Sequence, residues 1–225
     1  MKKFILGLDG MDRTGKSSIG KSGNILVAGT FSDRLGRDFT CFNGHENRYS
    51  TVAKECFKDR FNGVSAIVSR GIAIAELLEG IEYMVDYGCD SLIMPRTFVS
   101  SLVYMRMRGD YTEATMLMQD ISSILEKFDI SFMSVLLTVS KETMKERGSK
   151  DDSYEIVHYD KIAKSMSSTT HDFKVPRHHI ANLNTEYMGI DETIDALIDE
   201  TKIYLDLGGR DMDIGTYVQN FVNRF

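Results

Sequence analysis

Tryptophan is absent from the 225 residues, and cysteine is scarce: Cys41, Cys56 and Cys89 stand far apart, with no C-x-x-C spacing. An odd count without paired spacing gives no disulfide framework and fits free, inert thiols in a reducing compartment. Long apolar runs are also missing. The run behind Lys2 and Lys3 is five residues long, too short for a signal peptide or a membrane span. The expected location is therefore cytoplasmic, with no membrane partner. Excess positive charge is missing too. A formal charge of -6 argues against a general nucleic-acid coat, although a local basic cleft would still admit DNA as a substrate. There is no N-K-x-D guanine-reading motif, and no Asp closes a hydrophobic strand; Asp90 stands at the wrong end of the SLIM run at 91–94. Those two gaps argue against a switch GTPase or a motor ATPase. No repeat or low-complexity linker divides the chain. The reading is one domain over 1–207 with a tail at 208–225 whose sequence assigns it no role.

What is present is concentrated at residues 4–18, FILGLDGMDRTGKSS. Phe4 to Leu8 is the kind of short apolar run that makes a buried parallel strand. It leads into Gly10-Met11-Asp12-Arg13-Thr14-Gly15-Lys16-Ser17, which fits G-x-x-x-x-G-K-[ST], the phosphate-cradling P-loop, with Ser18 following. The glycines let backbone N–H groups turn toward phosphate oxygens, and the helix that follows adds its positive dipole end. Lys16 is placed to neutralise the β- and γ-phosphates of ATP, and the Ser17 hydroxyl to bind Mg²⁺.

Along the chain, apolar spacing predicts a brief helix after the P-loop and a strand at 24–30 (NILVAGT); the irregular section at 31–60 reads either as a long functional loop or as a loop plus a helix around 50–57. A helix with one apolar face follows at 65–85, then a strand at 91–94 closed by Pro95-Arg96. Residues 98–128 read as one long or two consecutive helices, bent near Gly109-Asp110. Next come a strand at 134–139, a helix at 141–147, a polar loop at 148–153 and a helix at 154–168. A strand at 180–184 and an amphipathic helix at 191–207 end the pattern. Strands alternating with helices predict an α/β doubly wound domain with a mainly parallel sheet. Ligands of such sheets sit at the carboxyl ends of the strands. That rule gathers the P-loop, the Pro95-Arg96 corner and the 148 loop, with Arg13, Lys16, Arg96, Lys145, Arg147 and Lys150. Convergent cations around a P-loop point to phosphoryl transfer, whose catalysis is mostly positioning and charge stabilisation.

These residues resemble the thymidylate kinases, P-loop nucleoside-monophosphate kinases that use Mg-ATP. Residues 8–17 look like the P-loop of the subclass reading E-G-x-D-R-x-G-K-[ST]. Residues 95–104 (PRTFVSSLVY) are similar to D-R-Y-x-x-S-x-x-A-[YF], and 65–70 are a weaker match to F-x-A-x-R. Residues 134–155 resemble the family's strand, helix and lid, with Arg147-Gly148 and Ser153-Tyr154-Glu155 at the lid's two motifs and the lid itself at about 145–155. The resemblance implies that Asp12 accepts from the acceptor sugar and that Arg13 acts as an arginine finger in cis. It places Arg96 and Arg70, with Ser101, at the acceptor phosphate or base, Arg147 along ATP, and Tyr104 and Tyr154 beside the acceptor base. It also implies a homodimer built on helices such as 65–85 and 98–118. This chain departs from the family at Pro95, where a carboxylate is usual, and at Ala66, where an aromatic is usual. Asp9 replaces the usual Glu and is a candidate second metal ligand. The expected reaction is phosphoryl transfer to dTMP or a 5-modified dUMP, for which Ala66 leaves room. The alternatives are a kinase acting on a 5-hydroxymethyl pyrimidine in DNA, a deoxynucleoside kinase, and a non-catalytic nucleotide-binding subunit.

Overall fold

The computed structural model describes residues 2–11, 13–20, 24–43, 66–148, 153–172 and 178–206. Five strands make one sheet: β1 (Lys3–Gly10), β2 (Phe39–Cys41), β3 (Ser91–Pro95), β4 (Ile130–Thr138) and β5 (His178–Asn184). Their order is β2-β3-β1-β4-β5, and every neighbouring pair is parallel. The register sets Leu8 of β1 beside Pro95 and Gly10 beside Leu137, so three strands end together at one edge.

Alternation along β1 sends its side chains to opposite faces. Ile5 joins Leu92, Phe132 and Leu136 on one face, packed against α3 (Ala66–Asp86), α4 (Phe98–Arg108) and α5 (Tyr111–Lys127). Phe4, Leu6 and Leu8 join Ile93, Met133 and Val135 on the other, under α2 (Ile25–Leu35) and α9 (Ile190–Asp206). The short α1 (Lys16–Ile19) follows the P-loop, and α6 (Lys141–Glu146), α7 (Tyr154–Val157) and α8 (Tyr159–Asp172) lie between β4 and β5. Gly109, left-handed at φ 87°, separates α4 from α5 and so divides the 98–128 segment into two helices. Among the described residues no helix is long and apolar enough to cross a membrane.

One segment differs in kind from its sequence reading. Residues 24–30 are helical, forming the start of α2, and the second strand is the three-residue β2 at Phe39–Cys41. Asn24 caps α2 by accepting from the Val27 N–H, Gly36 ends it in a left-handed conformation, and Val27, Ala28 and Phe31 make a buried face at helical spacing. A short apolar run does not distinguish a buried strand from a buried helix; the caps decide it. The 154–168 helix is two, α7 and α8. The helix expected near 50–57 and the tail from 208 lie outside the described residues.

Candidate active site

The strand edge carrying β1, β3, β4 and β5 is lined by two unequal cavities. The larger, about 330 Å³, is bounded by Arg13, Thr14, Gly15 and Ser18 of the P-loop on one side. Arg147 and the 185–193 segment, with Thr185, Met188, Gly189, Ile190 and Thr193, bound the other. That volume lies in the range of small-molecule sites, roughly 300–1,000 Å³. The sequence reading brought Arg147 to the P-loop but missed the 185–193 wall. Its only local signal was a glycine, Gly189, between a strand and a helix.

The loop's shape follows from its backbone. Gly10 (φ 137°), Arg13 (φ 63°) and Gly15 (φ 100°) all lie left of the usual region. A Cβ on Gly10 would sit 2.3 Å from the Leu137 carbonyl oxygen, so β4 leaves room there for glycine alone. A left-handed residue with a side chain costs about 1–2 kcal/mol, and such residues persist at ligand clamps. Alternating hand turns successive N–H groups to one side, which suits a phosphate. Lys16 is 3% exposed, and its ammonium folds back into the loop, donating to the Met11 carbonyl and, at 3.2 Å, to the Thr14 hydroxyl. Phosphate oxygens would replace those internal acceptors. Asp12 lies outside the described residues, as does the Ser17 side chain.

Arg147, just after α6, ties both walls of the cleft together. Its guanidinium donates to the Arg13 carbonyl at 3.1 Å, the Thr185 carbonyl at 2.8 Å and the Glu186 carbonyl at 3.4 Å. The other end of α6 is held by Glu186, whose carboxylate accepts from the Ser140 N–H, the Ser140 hydroxyl and the Thr143 hydroxyl. Those donors, Thr143 foremost, hold the Glu186 carboxyl below the usual carboxylate range. A six-residue helix is thus fastened at both ends to one turn.

The smaller cavity, about 10 Å³, lies beneath Met11 and is lined by Gly10, Ser100, Val103, Tyr104, Leu136, Ile162 and Met166. Above it the Tyr104 hydroxyl pairs with the buried Glu155, and the Tyr154 ring stands 6.5 Å from Tyr104, half exposed, against His158 at 4.6 Å. Tyr104 shares this cavity with Gly10 and Met11 of the P-loop, and Tyr154 stands beyond it.

Other expected groups are placed differently. Asp9 is wholly buried, and its carboxylate accepts from Thr97 N–H, Thr97 Oγ1, Ser100 N–H, Ser100 Oγ and Ser134 Oγ at 2.6–3.1 Å. Five donors occupy both oxygens, so a metal would have to displace one of them. It is Ser100, one residue before the expected Ser101, that faces this node. Arg70 pairs with Glu113 at 3.0 Å and Asp120 at 2.8 Å, both on α5, instead of pointing free toward an acceptor. Arg96 is held at φ 60° with its N–H on the Leu8 carbonyl at 2.8 Å. Arg34 pairs with Asp195 and Asp199 of α9, and Arg37 binds Ser91 and Lys2 at the opposite ends of the strands, so neither faces the P-loop. Among the described residues, no cluster of His, Cys, Asp or Glu is arranged to hold a metal. Mg²⁺ in P-loop sites commonly takes most of its oxygens from phosphates and water, and the inward-turned loop with its lysine fits a Mg-triphosphate, with Ser17 as the one protein donor in range by sequence.

Solved structures share this architecture. Thymidylate kinase from Candida albicans superposes with a TM-score of 0.57 at 17% identity, over 93% of this chain and 94% of that one. The fold is that of the P-loop nucleotide kinases. Thymidylate kinase from Ehrlichia chaffeensis gives 0.50 at 14% identity, over 91% of this chain and 100% of its own. Polyphosphate kinase 2 from Arthrobacter aurescens gives 0.53 at 16%, over 99% of this chain and 76% of its own. No protein-family model matches the sequence, and no curated protein matches it. Identities this low establish the fold and leave the chemistry to the site.

Proposed function

We propose that this protein transfers the γ-phosphoryl group of Mg-ATP to a pyrimidine deoxynucleoside monophosphate, dTMP or a 5-modified dUMP such as 5-hydroxymethyl-dUMP, giving the diphosphate. The observation behind the reading is the cleft in which Arg13, Thr14, Gly15 and Ser18 face Arg147 and the 185–193 wall. A triphosphate lying in the P-loop would set its adenine against Met188 and Ile190. Lys16 would move from its internal acceptors to the β- and γ-phosphates, Arg13 would stabilise charge on the transferred group, and Asp12 would accept from the acceptor sugar. Mg²⁺, when bound, neutralises phosphate charge. Arg96 follows the end of β3 and would take the acceptor phosphate. The two thymidylate kinases among the structural neighbours support the acceptor class. Ala66 opens α3 without an aromatic ring, which favours an acceptor with a bulkier 5-substituent. The reading includes a homodimer through α3, where Ile67, Leu78 and Val85 fall on one exposed stripe. A lid spanning 145–155 would exclude water from the closed site.

The test is incubation with Mg-ATP and a panel of deoxynucleoside monophosphates, alongside plain and 5-hydroxymethylated DNA. Diphosphate formed from dTMP or 5-hydroxymethyl-dUMP is the expected result. Phosphate placed on DNA and on no free nucleotide, or ATP bound without any transfer, would overturn it.

A further inference from the structure

A buried carboxylate is expensive unless hydrogen bonds replace its water. Asp9 meets that condition with five donors drawn from three residues: Thr97 and Ser100 at the start of α4, and Ser134 in the middle of β4. The two backbone donors belong to a helix N-terminus, where negative charge is favoured, and the Ser100 N–H is shared with the Thr97 carbonyl at 3.0 Å. Leu8, the residue before Asp9, takes the N–H of Arg96 at 2.8 Å. The strand that ends in the P-loop therefore grips the chain on both sides of Arg96, through the N–H of residue 96 and the N–H of residue 97. Between those grips Arg96 sits at φ 60°, a conformation that a free Arg would leave. Pro95 adds a third hold, since its ring atoms fill the space beside Gly20 just after α1.

We propose that Asp9 is a positioning residue that fixes Arg96, and with it the acceptor phosphate, at a set offset from the P-loop that holds the donor. The inference rests on the kinase reading above. Its chemical content is pre-organisation: one rigid carboxylate links the donor loop to the acceptor corner, so the two phosphates meet without a search. This assignment differs from a metal ligand or a general base, either of which needs a lone pair that Asp9 has already committed.

Substitution separates these roles. In Asp9→Asn the amide oxygen keeps the two N–H bonds, while the Thr97 and Ser134 hydroxyls turn to accept from the amide nitrogen. In Asp9→Ala the Thr97 N–H and the three hydroxyls lose this acceptor, and the Ser100 N–H keeps its bond to the Thr97 carbonyl. With the full-length protein, Mg-ATP and dTMP, Asp9→Asn should stay within about threefold of wild type in kcat and KM, whereas Asp9→Ala should raise KM for dTMP by about tenfold or more and leave the affinity for a non-hydrolysable ATP analogue within about threefold. Hydrogen exchange should show the Thr97 amide protected in wild type and Asp9→Asn and released in Asp9→Ala. If Asp9→Ala does not fold, Ser100→Ala, which removes one hydroxyl from the node, should raise the same KM with kcat held. A fall in kcat of about a hundredfold in Asp9→Asn at unchanged KM would put Asp9 in the chemistry and overturn the proposal. So would unchanged KM and unchanged amide protection in Asp9→Ala. If wild type does not phosphorylate dTMP, the functional reading fails instead, and the exchange comparison alone decides the role of Asp9.

Discussion

Arg147 and Arg13 reach for each other across the larger cleft: the Arg147 guanidinium donates to the Arg13 carbonyl at 3.1 Å, and the Arg13 guanidinium extends to the Gly148 carbonyl at 3.5 Å. The two arginines are not equivalent. Arg147 spends its donors on three backbone carbonyls, so it shapes the cleft; Arg13 makes one long bond and its side chain is otherwise exposed at the loop. Arg13→Ala should lower kcat about 10³-fold, the scale of an arginine finger, with little change in ATP affinity. Arg147→Ala should act mainly on ATP affinity, because the 185–186 turn loses its tie to the P-loop. Single-turnover kinetics with ATP-analogue titration distinguish the two. An Arg13→Ala variant with near-normal kcat removes the finger from the mechanism.

Gly20 and Pro95 are fitted to each other. A Cβ at residue 20 would lie 2.9–3.0 Å from three atoms of the Pro95 ring. Gly20→Ala should therefore destabilise the fold by about 1–3 kcal/mol through overpacking. Pro95→Ala removes Cγ and Cδ, two of those three atoms, so the double variant should be more stable than the sum of the two single losses predicts. Urea unfolding of the four proteins measures that coupling, and strict additivity would mean that the contact is relieved by backbone movement.

These contacts show why the sequence was legible in some places and opaque in others. The β1–P-loop–α1 unit could be read because each part has a local signature: an apolar run, two glycines at fixed spacing, then Lys16 and Ser17. The order of elements followed from period alone. Residues 24–30 misled because seven residues of mixed apolar character fit either period, and the deciding caps, Asn24 and Gly36, are single residues at its ends. The 185–193 wall has no signature of its own; it becomes a site only because β5 ends beside β4. Asp9 is the clearest case. Its neighbours in sequence suggest phosphate chemistry, and its neighbours in space, Thr97 and Ser100, lie about ninety residues away. A Thr-x-x-Ser spacing at a helix start was the one trace of that node in the sequence.

Arg70 offers a direct choice between structure and substrate. Its guanidinium bridges α3 to α5 through Glu113 and Asp120, and those carboxylates raise its already high pKa, the Glu113 hydrogen bond first. A pair held this way should matter to stability. Arg70→Ala should lower the melting temperature, and added salt should narrow the gap from wild type, because these partly exposed charges are screened. KM for dTMP should stay near the wild-type value. A large rise in that KM with no change in melting temperature would return Arg70 to the acceptor site.

Glu186 makes the protein's response to acid specific. Its carboxylate is the only link from the 185–186 turn to the N-terminus of α6 among the hydrogen bonds described, and it works in the charged form. The folded-state pKa is depressed, chiefly by the Thr143 hydroxyl and then by Ser140. The sign follows from linkage. The contribution is complete above the ordinary carboxylate pKa and is lost as pH falls through the depressed folded value, since protonation must then break the bonds. Thermal melts from neutral to acid pH should therefore show wild type losing its margin over Glu186→Gln as the pH drops, with the two curves converging at the acid end. The same variant should bind an ATP analogue more weakly at neutral pH, because the wall opposite the P-loop is no longer pinned to α6. If the margin were constant across the range, the ionised carboxylate would not be what holds the turn, and the clamp on α6 would rest on Arg147 alone.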